Sequence, residues 1–252
     1  MEITFLGTGT SQGMPVIGCS CDVCTSVDSR DKRLRTSLMV KTGDIRLVID
    51  SGPDFRYQML RENVKSLDAL LFTHEHRDHI AGLDDVRAFN WIQKKAMDLY
   101  AESRVLKEIR EKFLYAFDNS YPGVPRLNLH AIEEAKFDIN GLSILPIRLM
   151  HYKLPILGFR FGDISYITDA SYISDEERKK LIGSRYLIVN ALRREKHPTH
   201  FNLQEALQLI EEIKPEKAYL THISHQMGLY SDILKDLPDS VIPAYDGLSF
   251  SV

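Results

Sequence analysis

The segment that most restricts this chain is Thr73-His74-Glu75-His76-Arg77-Asp78-His79, which follows directly on the apolar run Ala69-Leu70-Leu71-Phe72. The run reads as a short buried strand, so the H-x-H-x-D-H pattern leaves from a strand end. Three imidazoles and a carboxylate within six residues are poor neighbours unless something satisfies them. A cation does, because neutral imidazole nitrogen and carboxylate oxygen suit zinc, manganese or iron. In a tight loop His74 and His76 can face one way and Asp78 and His79 another. That divides the donors into two sets and suggests two metal ions. The alternative is a polar surface loop rich in histidine, and matching donors elsewhere in the chain argue against it.

Strands are expected at residues 3–6, 37–41, 46–50, 69–73, 98–101, 142–149, 158–161, 165–168, 186–190, 217–221 and 248–252. Helices are expected at 55–63, 104–117, 175–182, 203–212 and 231–236, the second from its 3.6-residue apolar period. Ser174 with Glu177, and Asn202 with Glu205, have the spacing of a capping box. This alternation fits two sheets packed together with helices outside. A 252-residue chain with 44% hydrophobic and 27% charged residues has ordinary globular composition, which excludes a disordered or fibrous chain. Lys+Arg 32 against Asp+Glu 35 leaves no basic field for non-specific nucleic-acid binding, although a local phosphate site is compatible. No apolar run of about 18 residues suggests a membrane span. Met1 to Gly7 reads as a strand rather than a secretory signal, so a cytoplasmic protein is expected.

With the histidine motif placed at a strand end, the chain resembles the metallo-β-lactamase-fold superfamily over nearly its whole length. The resemblance implies an α/β fold: a four-layer αββα sandwich, one domain over residues 1–252, with the metal site at one edge of the sheets. It also implies the remaining donors. His151 follows Arg148-Leu149-Met150, as the superfamily's third histidine of the first metal does. Asp169, in Tyr166-Ile167-Thr168-Asp169, stands where the bridging aspartate does. His222, in Tyr219-Leu220-Thr221-His222, stands where the last ligand of the second metal does. Asp50, in Val48-Ile49-Asp50-Ser51-Gly52, matches an early aspartate that orients a ligand. The implied assignment is His74, His76 and His151 on one ion, and Asp78, His79 and His222 on the other. Asp169 bridges them, together with a solvent hydroxide. Zinc or manganese is expected, and iron is compatible.

Gly18-Cys19-Ser20-Cys21-Asp22-Val23-Cys24 carries all three cysteines of the chain, in a loop spanning residues 18–25. A disulfide framework is not expected from three. Three thiols need a fourth donor for tetrahedral zinc; free surface thiols or a redox cluster are the alternatives. The loop is similar to that of the PhnP-like phosphodiesterases. So are Leu6-Gly7-Thr8-Gly9-Thr10, His222-Ile223-Ser224-His225-Gln226 and Tyr245-Asp246-Gly247-Leu248. That resemblance implies a structural zinc on Cys19, Cys21, Cys24 and His225. Proteins of pyrroloquinoline quinone synthesis carry a similar cysteine loop, so the loop alone does not choose the reaction.

Paired metals suit phosphodiester hydrolysis, in which a bridging hydroxide attacks phosphorus and the departing alkoxide needs a proton. His200, just before the helix at Leu203, matches a functional histidine of the PhnP-like group; otherwise it is a surface histidine at a helix start. Asp78 and His200 are the expected catalytic residues. Arg193, Arg194 and Lys196 could bind a substrate phosphate, or form a solvated basic loop. Residues 82–91 read as a wall beside the metals, with Phe89 and Trp91 as core, and His130 and His197 read as surface histidines. The expected activity is cleavage of small or cyclic, nucleotide-like phosphodiesters, in a protein that the PhnP-like group implies is a homodimer. The alternatives are a tRNA 3′-processing nuclease, a thioester or lactone hydrolase, and an accessory protein of cofactor assembly.

Overall fold

The chain repeats one arrangement twice: antiparallel strands first, then parallel strands joined by helices. A computed structural model describes residues 1–118 and 122–252. The first sheet begins with β1 (Glu2–Gly7), β2 (Ser37–Thr42), β3 (Ile45–Ile49), β4 (Ala69–Leu71), β5 (Met97–Ala101) and β6 (Leu127–Ala131). The second is built of β7 (Phe137–Ile139), β8 (Leu142–His151), β9 (Leu154–Phe161), β10 (Ile164–Ile167), β11 (Tyr186–Asn190), β12 (Lys217–Thr221) and β13 (Val241–Pro243). The last strand, β14 (Ser249–Ser251), returns to the first sheet and pairs with β1. Helices are α1 (Asp22–Thr25), α2 (Phe55–Arg61), α3 (Arg77–Ile80), α4 (Arg87–Gln93), α5 (Ser103–Lys112), α6 (Asp175–Lys179), α7 (Leu203–Ile213) and α8 (Tyr230–Lys235).

The strand orders are β14-β1-β2-β3-β4-β5-β6 and β13-β12-β11-β10-β9-β8-β7. In the first sheet β1, β2 and β3 are antiparallel, and β3 to β6 are parallel. In the second, β7 to β10 are antiparallel and β10 to β13 parallel. Parallel neighbours need a crossover, and helices supply it. Each sheet anchors one of two compact units: Met1–Gly7, Arg35–Glu133 and Gly247–Val252, and Thr8–Leu34 with Glu134–Asp246.

Each unit has its own core. In the first, α5 buries Val105, Leu106 and Ile109 in a cluster with Leu70, Phe72 and Leu99. In the second, α7 buries Leu203, Ala206, Leu209, Ile210 and Ile213 in a cluster with Leu187, Val189 and Leu220. Fully burying a Leu, Ile or Phe contributes about 1.5–3 kcal/mol, so these stripes hold the helices on their sheets. The expected caps form: Ser174 Oγ accepts from Glu177 N, and Asn202 and Glu205 make a complete capping box.

The carboxyl ends of parallel strands are where open α/β sheets place ligands. Here they also hold unusual backbone. Asp50 follows β3 at φ 64°, Asp169 lies just past β10 at φ 59°, and His222 follows β12 at φ 53°. Left-handed non-glycine residues cost on the order of 1–3 kcal/mol and persist where surrounding contacts enforce them.

Some elements differ from expectation. β6, β7 and β13 are not expected from the pattern, and all three are sheet edges. Such short strands follow their neighbour's pairing rather than a pattern of their own. Helices α1 and α3 have four residues each, too few to show a period. The helix expected at 104–117 is α-helical through Lys112 and then tightens to a 3-10 turn over Leu114–Phe117. Phe89 is core at 4% exposure, but Trp91 is not: on α4 it is 74% exposed. Among the described residues no helix is long and apolar enough to cross a membrane.

Candidate metal centres

In the first unit the chain leaves β4 through Phe72 and Thr73 into His74, which is fully buried. His76 is exposed, and α3 carries Asp78 and the buried His79. The ring of His74 lies 4.6 Å from that of His76 and 4.1 Å from that of His79. His79 Nε2 is 3.2 Å from Asp78 Oδ2.

Asp50 organises this cluster from the end of β3. Its Oδ2 is 2.7 Å from His79 Nδ1 and accepts the Thr73 hydroxyl at 2.9 Å; its Oδ1 accepts Thr73 N–H at 2.9 Å. The same hydroxyl lies 2.9 Å from His74 Nδ1. A hydroxyl that gives its proton to Asp50 can only accept from His74. Both histidines then carry the proton on Nδ1 and present an Nε2 lone pair, the form a metal needs. Burial pushes the Asp50 carboxyl up, and the neighbouring His79 pulls it back. The α3 segment is tied to the loop after β3, with Ser51 N–H donating to His79 O at 2.8 Å and Gly82 N–H to Ser51 O at 2.8 Å. A Cβ on Gly52 would lie 2.0 Å from Asp78 O, so only glycine allows this approach.

In the second unit His151, Asp169 and His200 bring one donor atom each within 4.8 Å of the others. His151 ends β8, and its Nδ1 lies 2.9 Å from the carbonyls of both Asp169 and Thr199. Carbonyls only accept, so His151 is protonated on Nδ1 and offers Nε2. Asp169 Oδ1 is 3.3 Å from His200 Nε2, and its Oδ2 is 3.2 Å from His222 Nδ1. The His200 ring stacks on that of His222 at 4.7 Å. Burial pushes His200 down to about 4, opposed by its bond to Asp169, and its Nδ1 is 2.7 Å from Thr199 Oγ1.

The cysteine loop closes on His225 within the second unit. His225 Nδ1 is 3.4, 3.3 and 3.6 Å from the sulfurs of Cys19, Cys21 and Cys24. Tetrahedral zinc with Zn–S about 2.3 Å and Zn–N about 2.0 Å places S and N roughly 3.5 Å apart, so the residues fit that ion. The Cys24 sulfur accepts from Val16 N–H. A backbone hydrogen bond from Cys24, with His225 beside it, draws the Cys21 thiol down to about 6, whereas burial holds that of Cys24 up to about 11.

The basic loop is partly committed to its own unit. Arg194 pairs with Asp236 at 2.6 Å, and Arg193 donates to Gln226 Oε1 at 2.9 Å and to Lys196 O at 3.0 Å. The Arg194 and Lys196 side chains are exposed. His130 and His197 are half-buried rather than bare surface residues. His130 bonds Asp98 at 2.8 Å and stacks on Tyr100, and His197 lies 3.0 Å from Thr199 Oγ1. Thr73 and Thr199 are the positioning residues the sequence pattern missed. Each precedes a key histidine, but a hydroxyl's partner is visible only in three dimensions.

The model of the beta-lactamase superfamily domain matches residues 45–223. The chain belongs to this family. Its α/β architecture is the metallo-β-lactamase fold, which implies divalent-metal binding and supports a hydrolase. The chain is similar to a solved structure described as a new diphosphatase from the PhnP family, with TM-score 0.93 and 38% identity, covering 99% of this chain and 96% of that one. It is 43% identical over 252 residues to a Porphyromonas gingivalis protein named octanoyltransferase, covering 98% of this chain and 51% of the relative. The chain thus spans about half the length of the curated relatives it matches. Zn²⁺-bound PqqB from Methylobacterium extorquens shares the fold at TM-score 0.81 and 18% identity, with each chain covered in full.

Proposed function

We propose that the protein is a dinuclear-metal phosphodiesterase or diphosphatase for small, nucleotide-like substrates. The observation that carries this reading is the tautomer pattern: His74, His79 and His151 each have Nδ1 engaged, so Nε2 is the atom each would turn to a metal. His74, His76 and His151 would hold one ion, Asp78, His79 and His222 the other, with Asp169 between them. Zinc or manganese suits these donors, and iron is compatible. When bound, such ions supply Lewis acidity at a phosphoryl oxygen and activation of water at neutral pH.

The remaining roles fall to the chain's own groups. Asp50 and Thr73 hold two ligands in one tautomer. Asp169 holds His200 and His222 on its two oxygens. His200, held on Asp169, takes up a proton as the reaction proceeds and passes it to the departing oxygen. Cys19, Cys21, Cys24 and His225 hold a separate structural zinc. Arg193 and Lys196 meet the substrate's outer phosphate, and Arg194 does so once its pair with Asp236 opens. A cytoplasmic homodimer goes with this reading.

Similarity to the PhnP-family diphosphatase supports phosphorus as the reacting centre. A second reading takes carbon rather than phosphorus as the reacting centre, in a thioester or lactone; a relative whose name specifies an octanoyl group, and of which this chain spans 51%, makes an octanoyl thioester the probe for it. The deciding assay uses protein loaded with Mn²⁺ or Zn²⁺. Bis-nitrophenyl phosphate, cyclic phosphodiesters, a dinucleoside diphosphate and an octanoyl thioester are offered side by side, with Asp169→Ala as control. Metal-dependent turnover of the phosphorus esters, lost in the control, is the expected result. Turnover confined to the thioester would replace the first reading by the second.

A further inference from the structure

Glu75 lies between His74 and His76 in the chain, so its carboxylate is tethered beside two candidate ligands without belonging to the donor set. Its side chain is 16% exposed and pairs with Arg104. Arg104 also lies 3.6 Å from Glu102. Arg104 occupies the first turn of α5, whose Val105, Leu106 and Ile109 are locked into the core. The strand before α5 is fixed to the strand before the motif, since Phe72 N–H donates to Tyr100 O at 2.9 Å. The guanidinium is therefore held on a rigid platform. Among the described residues, the second carboxylate oxygen of Glu75 is buried and has no hydrogen-bond partner.

We propose that Arg104 is a positioning residue that withholds Glu75 from the metal site and sets the His74–His76 loop. The inference rests on the reading of His74 and His76 as metal ligands. A carboxylate is itself a competent metal donor. Left without its cation, Glu75 could swing into the coordination sphere or drag the adjacent imidazoles out of place. The use of the pair is to keep one carboxylate out of the way.

The test measures binding of Mn²⁺, Zn²⁺ and Co²⁺ to the purified protein, with the visible spectrum of bound Co²⁺ as an activity-independent readout. Arg104→Ala is expected to weaken binding about 10–100-fold, the usual cost of losing a group that orients a ligand, and to alter the Co²⁺ spectrum. Arg104→Lys should recover part of the loss. Glu75→Gln in the Arg104→Ala background should recover most of it, because the competing carboxylate is gone. Melting temperatures of all variants separate unfolding from lost positioning. Unchanged binding and spectrum in Arg104→Ala would overturn the inference while leaving the metal site standing. A wild-type protein that binds no metal would overturn both.

Discussion

Oδ2 of Asp50 lies 2.7 Å from Nδ1 of His79 with both side chains fully buried, and through Thr73 the same carboxylate reaches His74. One residue at the end of β3 thus sets two histidines at the end of β4 and in α3. It accepts from three donors: His79 Nδ1–H, the Thr73 hydroxyl and Thr73 N–H. Asp50→Asn has nearly the same shape but one acceptor oxygen, so whichever way the amide turns, a donor faces a donor. Metal affinity is expected to fall about 10–100-fold with little change in far-UV circular dichroism. Chelator competition measures it, and wild-type affinity would show that the carboxylate does not orient the ligands.

The close approach of Gly52 to Asp78 gives a second prediction. The added methyl of Gly52→Ala would meet the Asp78 carbonyl oxygen, a backbone atom that cannot rotate away. Overpacking costs about 1–3 kcal/mol, and contact with rigid backbone belongs at the upper end. The urea midpoint should drop accordingly, and metal content should drop with it because α3 carries Asp78 and His79. An unchanged midpoint would mean that the loop after β3 yields freely.

For the cysteine site, Cys21→Ser should remove one zinc per chain and lower the melting temperature, while the other metal equivalents stay bound. Zinc that organises a loop contributes its binding free energy to folding. Elemental analysis alongside calorimetry decides the matter. Full zinc content in the variant would show that the three sulfurs and His225 do not share an ion.

His200 is to be tested through the leaving group. A proton donor matters when the departing alkoxide is basic and hardly at all when it is a nitrophenolate. His200→Ala should lose about 10²–10⁴-fold on an alkyl phosphodiester and far less on bis-nitrophenyl phosphate, with metal content unchanged. Equal losses on both substrates would assign His200 to holding Asp169 instead, to which it is bonded at 3.3 Å.

The candidate donors could be named from the linear chain because His74, His151, Asp169 and His222 lie at or just past apolar strands, and because the resemblance to the superfamily supplies their order and the H-x-H-x-D-H loop the rest. The core strands were readable as short apolar runs, since β1, β4, β10, β11 and β12 are buried on both faces, and α5 from the 3.6-residue period that burial on one face imposes. The edge strands β6, β7 and β13 lacked such a signature, as their place depends on a neighbour's free hydrogen-bonding edge. Trp91 shows the converse, an aromatic residue whose exposure on α4 no local pattern announces.

What the sequence determined by itself is therefore the chemistry on offer: imidazoles and carboxylates at strand ends and just after β4, and three thiols in one short loop. What only the tertiary structure decided is their state and direction. The protonated nitrogen of His74, His79 and His151 depends on a hydroxyl, a carboxylate and two carbonyls; of these, Asp50 and Thr199 are remote in sequence from the histidines they set. The left-handed backbone of Asp50, Asp169 and His222 is likewise imposed by the contacts around each strand end. Hydrogen-bond direction and backbone strain are properties of what a residue faces, and the chain's order alone does not contain them.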